Sequence, residues 1–498
     1  MSLHQLYLAL LAGGLVLLAS IIATRMASRA GLPSLLVFLA LGVVLGEDGL
    51  GIEFDDAQLA QNLGIAALAV ILVEGGLATR WSDVRRLLAP ASVLATVGVV
   101  VSVLVTASGA HLLLGLEWQL ALLLGAIVSP TDAAAVFSVL RTLPLPRRLR
   151  GLLEAESGFN DAPTVILVLL FSAIPFEPDV QHTASDVGYQ LAAGAAIGLV
   201  VGRLGAIALH RIALPASGLY PLATFGLGFV AFAAGGAVHA SGFLAAYLSG
   251  VVLANSGLQH RAATKSFAEG LGWLAQIGLF VLLGLLVTPS ELPRALLPAL
   301  VVGLVLLLLS RPLSVLVSVA WFRIPWREQL FLSWAGLRGA VPIVLATVPV
   351  VQGVAGSDRL LDIVFVLVVT FTLVQGPSLP ALARRLGLVR ADATREVHVE
   401  SAPLDVLDAE MLTVAIPRGS GLHYVAVLEL QLPDPGVITL IIREGSAFVP
   451  QPDTLLRTGD ELIIVTTSAR REETERRLRA VSRRGKLARW FGEHGEPD

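Results

Sequence analysis

Apolar stretches of about 20 residues, the length that crosses a bilayer as a helix, recur from the N-terminus to residue 386. Thirteen can be marked, near residues 5–24, 32–46, 60–78, 88–111, 118–140, 151–175, 187–210, 219–238, 241–256, 268–287, 295–321, 329–351 and 360–383. Hydrocarbon offers no partner to a backbone polar group, so such a chain must satisfy its peptides within helices. The expected fold is therefore an all-α polytopic membrane protein of about thirteen transmembrane helices, and one large soluble globule is excluded. Charged residues make up 15% of the chain, against about 25% in soluble domains. A net charge of −3 and the lack of a Lys/Arg block give no nucleic-acid target. Cysteine is absent, which excludes disulfides, thiol nucleophiles and Cys-ligated metals. The first segment lacks a charged n-region and a small-residue cleavage site, so it reads as a span and not as a signal peptide.

The loops alternate in charge. Arg25 and Arg29 follow span 1, an acidic loop (Glu47, Asp48, Glu53, Asp55, Asp56) follows span 2, and Arg80, Arg85 and Arg86 follow span 3. Basic residues return after span 5 (Arg141, Arg147, Arg148, Arg150), span 9 (Arg261, Lys265), span 11 (Arg323, Arg327) and span 13 (Arg384, Arg385, Arg390). The positive-inside rule puts the ends of the odd-numbered spans in the cytoplasm, the N-terminus outside and the C-terminus inside.

Composition changes near residue 387. The expected domains are a transmembrane part, 1–390; a polar linker, 391–403; a small α/β domain, 404–468; and a charged tail, 469–498. In the small domain MLTVAI (411–416), VITLIIREG (437–445) and DELIIVTT (460–467) read as strands, and GLHYVAVLEL (421–430) as a turn leading to a helix. At roughly 65 residues its core is small, and a partner copy is expected. The tail reads as a solvated or membrane-surface helix. With its Arg443-Glu444-Gly445 turn, Pro450, Pro452 and closing TGDELIIV, the domain resembles the RCK-C (TrkA-C) regulatory domain. The resemblance implies dimerisation and a small ligand or ion, and the alternative is a plain stabilising domain.

Ionisable residues inside spans cost roughly 2.5–3.5 kcal/mol on insertion scales and point to function. Glu74, Asp132, Glu156, Asp161 and Arg338 stand out. Asp161 lies near the middle of span 6, with Ser157 one helical turn before it on the same face, while Glu156 and Asn160 share an adjacent face. A carboxylate beside a hydroxyl can replace the water shell of a small monovalent cation. The same carboxylate can bind a proton instead, because a low dielectric penalises its charge. Asp132 follows Ser129, Pro130 and Thr131 in the middle of span 5, which argues for a broken helix there. Span 12 carries a second break at Gly336, Gly339 and Pro342. The two spans run in opposite directions, the pattern of a secondary transporter built on inverted repeats. Arg338 lies in the second break and needs a carboxylate, for which Glu156 is the candidate, leaving Asp161 for the ion. Glu74, late in span 3, either attracts and helps coordinate cations or is an interfacial carboxylate.

The pieces ILVEGGL (71–77), SPTD (129–132), ESGFND (156–161) and GLRGAVPI (336–343) together resemble the monovalent cation:proton antiporter superfamily, in its NhaP-type branch. The resemblance covers residues 1 to about 390. It implies a thirteen-helix fold with a dimerisation part, making a homodimer, and a six-helix core with crossed broken helices, in a bacterial inner membrane. It also implies that Asp161 alternately carries a monovalent cation and a proton. Asp132, Thr131, Ser157 and Glu74 would line the site, and Asn160, Glu156 and Arg338 would hold its shape. The Asn160-Asp161 pair suggests one ion per proton. Joined to an RCK-C-like tail, the whole resembles the potassium/proton branch, with sodium as the alternative ion and no cofactor beyond the transported ions.

Two rival classes fit the sequence less well. A potassium channel has the tail and a Thr96-Val97-Gly98 run in its favour, but that run sits in a continuous apolar helix without the unwound loop a filter needs. An intramembrane aspartyl protease would use two carboxylates, but gives Arg338 no role. His239, at the turn between spans 8 and 9, reads as a surface histidine before it reads as a pH sensor. No His/Glu cluster has the spacing of a metal site.

Overall fold

The computed structural model describes residues 3–30, 34–52, 54, 56–132, 145–176, 180–212, 214–258, 260–389, 398–404, 409–467 and 469–495. The second half of the expected span 118–140, Arg141 after it, and residues 391–397 of the expected linker lie outside the described residues. The chain divides into two compact units, one built from the apolar segments up to Leu388 and one built mainly from the residues after it.

In the first unit the described helices are α1 (Leu3–Ala30), α2 (Ser34–Leu45), α3 (Ala57–Ala78), the one-turn α4 (Trp81–Val84), α5 (Leu88–Leu114), α6 (Trp118–Val128), α7 (Arg147–Phe171), α8 (Val180–Arg211), α9 (Leu219–Ala237), α10 (Gly242–Ala254), α11 (Arg261–Leu285), α12 (Leu292–Val305), α13 (Arg311–Val319), α14 (Trp326–Trp334), α15 (Ala340–Val351) and α16 (Ser357–Arg385). Among the described residues eight helical stretches are long and apolar enough to cross a membrane, and α2, α6, α10 and α15 are shorter apolar helices. Every one of the thirteen apolar segments holds a described helix, and three of them are interrupted.

The interruptions have local causes. At the end of α6 the Ser129 hydroxyl turns back to donate to the Gly125 carbonyl at 2.7 Å, and Pro130 has no N–H with which to continue the ladder. Between α14 and α15, residues 335–339 leave helical geometry, and α15 restarts with Pro342 in its first turn, where an N–H would be unpaired anyway. The third was not expected. Segment 295–321 carries a π turn, Leu306–Ser310, between α12 and α13. Pro312, two residues beyond the turn, cannot donate to it, so the helix widens there.

Helices α3, α8, α9 and α10 pack on one another, and α5, α6, α12, α13, α15 and α16 form a second group. Contacts of α3 with α15 join them. Small residues permit the close approaches: a Cβ on Gly76 of α3 would lie 3.1 Å from the Gly250 Cα of α10. Helix α1 packs on α2 and exposes most of its leucines, as a lipid-facing helix does.

The second unit is a five-stranded sheet in the order β1-β2-β5-β3-β4, with every pair antiparallel: β1 (His398–Leu404), β2 (Ala409–Ala415), β3 (Val437–Arg443), β4 (Ser446–Phe448) and β5 (Glu461–Thr467). Alternating residues Leu412, Val414, Leu462 and Ile464 are fully buried and form its core with Ile438 and Ile441. Strands β3 and β4 meet through Glu444 (φ +52°) and Gly445 (φ +80°), a two-residue turn with both φ positive, which the right-handed strand twist favours. The Arg443 guanidinium then reaches the Thr458-Gly459-Asp460 turn. Its Nε donates to Asp460 Oδ1 and its Nη2 to Oδ2, both at 2.8 Å. The pair lowers the carboxylate's energy, and the Asp460 hydrogen bond raises Arg443 further above the usual guanidinium range.

Three boundaries differ from those read in the sequence. Residues 398–403 of the expected linker, with Leu404, are edge strand β1; their charges and Pro403 hide the alternation of a strand. Residues 421–430 form turns and a 3₁₀ turn, Val427–Leu430, in place of a helix. The helix expected in the tail is present as α17 (Arg471–Arg484), but it packs on the sheet, with Leu478 and Val481 fully buried in the core. Only this narrow apolar stripe marks it in an otherwise charged sequence. Leu478→Ala should therefore cost about 2–5 kcal/mol, read as a lower unfolding midpoint of the C-terminal unit by pulse proteolysis; an unchanged midpoint would return α17 to the solvated tail.

Candidate ion-binding site

The two broken segments meet. The Asp132 N–H, which no helix uses, donates to the Leu337 carbonyl at 2.9 Å. The Asp132 carboxylate occupies the place where a Cβ of Gly339 would stand, so any larger residue at 339 must displace it. Helix α7 closes the crossing from the side. Ser157 Oγ donates to the Thr131 carbonyl at 2.6 Å, and Asn160 Nδ2 donates to Thr131 Oγ1 at 2.8 Å. Thr164 Oγ1 folds back onto the Asn160 and Asp161 carbonyls at 2.9 and 2.8 Å. Asp161 is 8% exposed, and its Oδ1 has no hydrogen-bond partner among the described residues. It lies close enough to Asp132 for the two carboxylates to feel each other's charge.

The site residues read from the sequence thus fall into three groups. Thr131, Asp132, Ser157, Asn160 and Asp161 come together at the crossing, with Pro130, Gly336, Gly339 and Pro342 at the two breaks. Ser157 and Thr131 are engaged in holding α7 against the break. Glu74, on α3, packs its side chain against Gly272 of α11, where an added Cβ would lie 3.1 Å from Glu74 Cγ. No described contact joins Glu74 to Asp161.

The third group is a correction. Glu156 is 1% exposed, and the ion pair expected from Arg338 is made by Arg311, whose Nη1 lies 2.7 Å from Glu156 Oε1. Arg311 Nη2 also donates to the Leu332 carbonyl at 3.2 Å, at the end of α14. Arg338 turns its Nη1 onto the Gly336 carbonyl at 2.9 Å, and its own carbonyl accepts from Thr372 Oγ1 at 3.1 Å. Both guanidiniums flank Gly336: a Cβ there would stand 2.7 Å from Arg311 Nε and 3.1 Å from Arg338 Nη1. Sequence reasoning missed Arg311, although a Ser310-Arg311-Pro312 run in the middle of an apolar segment was the available signal.

The π turn places Arg311. Ser310, the last residue of that turn, accepts from Thr106 Oγ1 at 3.0 Å and lies 3.0 Å from Ser102 Oγ. Ser102 in turn accepts from Ser129 Oγ at 3.1 Å. A buried line of hydroxyls therefore ties the first break to the turn that carries Arg311, and α5 is the strut between them. Such a crossing of broken helices, with buried carboxylates and guanidiniums at its centre, is the core of a secondary ion transporter.

The chain belongs to the sodium/hydrogen exchanger family: residues 15–385 match the description "Sodium/hydrogen exchanger, transmembrane", and residues 411–479 match the TrkA-C domain. The K(+)/H(+) antiporter NhaP of Alkalimonas amylolytica is 37% identical over 480 residues, 93% of this chain and 82% of that protein. The K(+)/H(+) antiporter NhaP2 of Shewanella baltica is 34% identical over 492 residues, 97% of this chain and 85% of that protein. In fold, the sodium proton antiporter MjNhaP1 of Methanocaldococcus jannaschii superposes with a TM-score of 0.66 at 22% identity, over 76% of this chain and 99% of that structure.

Two substitutions probe the geometry. Arg311→Ala leaves Glu156 buried without its partner and should cost about 3–5 kcal/mol, seen as a lowered unfolding temperature in detergent. An Arg311→Ala protein as stable as the parent would show that the pair does not hold the core. Gly339→Ala, which displaces the Asp132 carboxylate, should abolish ion exchange in vesicles, and full exchange by this variant would refute the packing of Asp132 on Gly339.

Proposed function

We propose that the chain is a secondary active antiporter exchanging K⁺ for protons, one for one, with Asp161 as the group that holds either cargo. The observation that carries this reading is the buried Asp161 carboxylate, with one oxygen unpartnered, beside a crossing of two broken helices. Asp132, with its charge close by, shares the cation, and the hydroxyls of Thr131 and Ser157 lie alongside. Asn160 keeps the break in register by its bond to Thr131, while Glu156, Arg311 and Arg338 set the shape around it. Glu74 draws cations toward the entrance. The names of the relatives at 34–37% identity over most of the chain support K⁺ as the ion. Na⁺ is the second reading, favoured by the Na(+)/H(+) antiporter ApNhaP of Aphanothece halophytica, 29% identical over 374 residues.

The same reading places the protein in a bacterial inner membrane as a homodimer, with the N-terminus outside and the C-terminal unit in the cytoplasm. The alternation of basic loops supports the orientation. The C-terminal unit, whose single small core favours a partner copy, then regulates exchange in response to a small ligand. No step requires a cofactor.

In vesicles holding this protein alone, a preformed pH gradient should be dissipated by K⁺, and side-by-side addition of Na⁺ tests the second reading. Asp161→Asn should abolish the response to both cations. A folded Asp161→Asn protein that still exchanges would overturn the assignment of the carrier.

A further inference from the structure

Helix α17 buries one stripe against the sheet, and the chain then turns at Gly485 (φ +69°) into a 3₁₀ turn, Ala488–Phe491. Ala488 is fully buried and anchors this turn. The large apolar residues around it point the other way: Leu487 is 55% exposed, Trp490 85% and Phe491 59%. Three large apolar side chains within five residues, facing away from their own core, form a surface that water solvates poorly. Between Arg479 and Glu493 the sequence carries five basic residues and one acidic residue. Of these, Arg479 holds Glu475 at 2.8 Å, Lys486 holds Glu429 and Arg483 holds Glu493 at 3.5 Å, while Arg484, in the last turn of α17, is exposed.

We propose that the strip Leu487, Trp490 and Phe491 docks the C-terminal unit on the surface of an anionic lipid bilayer. A tryptophan with an apolar neighbour is suited to the headgroup level, where the ring is buried and the indole N–H stays wet. The exposed Arg484 beside the apolar strip is the second signal that surface binding requires, since one weak anchor alone is marginal. The covalent chain supplies the proximity. Ten positions separate Leu388, at the end of the membrane unit, from His398, at the start of the sheet, and ten residues span at most about 36 Å. Covalent attachment to a membrane-spanning unit raises the effective concentration of lipid for the strip, so a weak intrinsic affinity is enough. Docking of this kind needs only the membrane embedding of the first unit and not the identity of the exchanged ion.

The chain has no cysteine, so Trp490→Cys in the full-length protein gives a single thiol for an environment-sensitive fluorophore. Glu472→Cys, at the opposite end of α17 and exposed, is the reference; it lies about 18 Å along the helix axis from Arg484. In nanodiscs of phosphatidylcholine with phosphatidylglycerol, the probe at 490 should be blue-shifted and quenched by nitroxide-bearing lipids, and the probe at 472 should not. Quenching at 490 should fall when the anionic lipid is left out and when salt is raised. Absence of quenching at 490, or equal quenching at both positions, overturns the proposal. A blue shift at 490 that persists in lipid-free amphipol assigns the strip to a protein contact and overturns it as well.

Discussion

The Asp132 N–H and the Leu337 carbonyl are each left over from an interrupted helix, and at 2.9 Å each satisfies the other. In apolar surroundings an unpaired peptide group costs several kcal/mol, so neither break is stable without its counterpart. The rest of the core follows from that single contact. Glycine at 339 admits the Asp132 side chain against the second break. Once Thr131 is fixed there, its carbonyl and hydroxyl face α7 and take bonds from Ser157 and Asn160. Asp161, the next residue of that helix, is thereby set beside the crossing with one oxygen unpartnered among the described residues.

The second support runs through α5 and the π turn. A regular α-helix across residues 306–311 would carry Ser310 and Arg311 to a different angle about the axis, because a π turn adds one residue per turn. With the turn in place, Ser310 completes the hydroxyl line from Ser129 through Ser102, and Arg311 faces Glu156. The arginine also caps the end of α14 through the Leu332 carbonyl. One side chain thus fixes the carboxylate of α7 and the approach to the second break together. A buried pair adds little net stability by itself, but leaving one partner alone is costly. The pair accordingly specifies the arrangement more than it strengthens it.

What the sequence disclosed depended on how local the signal was. Thirteen helical segments were legible because apolar runs of bilayer length have few other outcomes. Both breaks were legible because proline and glycine act on their own turn, and the residues at the crossing were legible because charge and hydroxyl inside an apolar run stand out. Partnership was not. Arg338 and Arg311 are both buried guanidiniums, and which of them meets Glu156 depends on the rotation of α13, set by a π turn that no residue spacing announces. In the C-terminal unit the strands with clear alternation and the helix of the tail were found, whereas β1 and the burial of α17 against the sheet were not. Their pairing comes from the edge of β2 and from two buried residues, Leu478 and Val481, and so from tertiary context.

The charges at the crossing limit what the site can carry. Among the described residues Asp132 and Asp161 lie within reach of each other's charge, and Glu156 lies with Arg311 and Arg338, so with all five ionised this set carries one negative charge in excess. A low dielectric makes an uncompensated charge expensive to move. One monovalent cation removes the excess, and one proton on Asp161 removes it equally. On the proposed reading either cargo brings the core to the same neutral state, and the empty core is the one that resists passage between the two sides. On the proposed reading this is why exchange is obligatory: the protein crosses with a cation or with a proton, and the unloaded state is held back by its own charge. A second cation would restore an imbalance of the opposite sign, which is the physical argument for one ion per proton. Glu156 enters this balance although it holds no cargo, because its charge offsets one of the two guanidiniums that keep the broken helices in place.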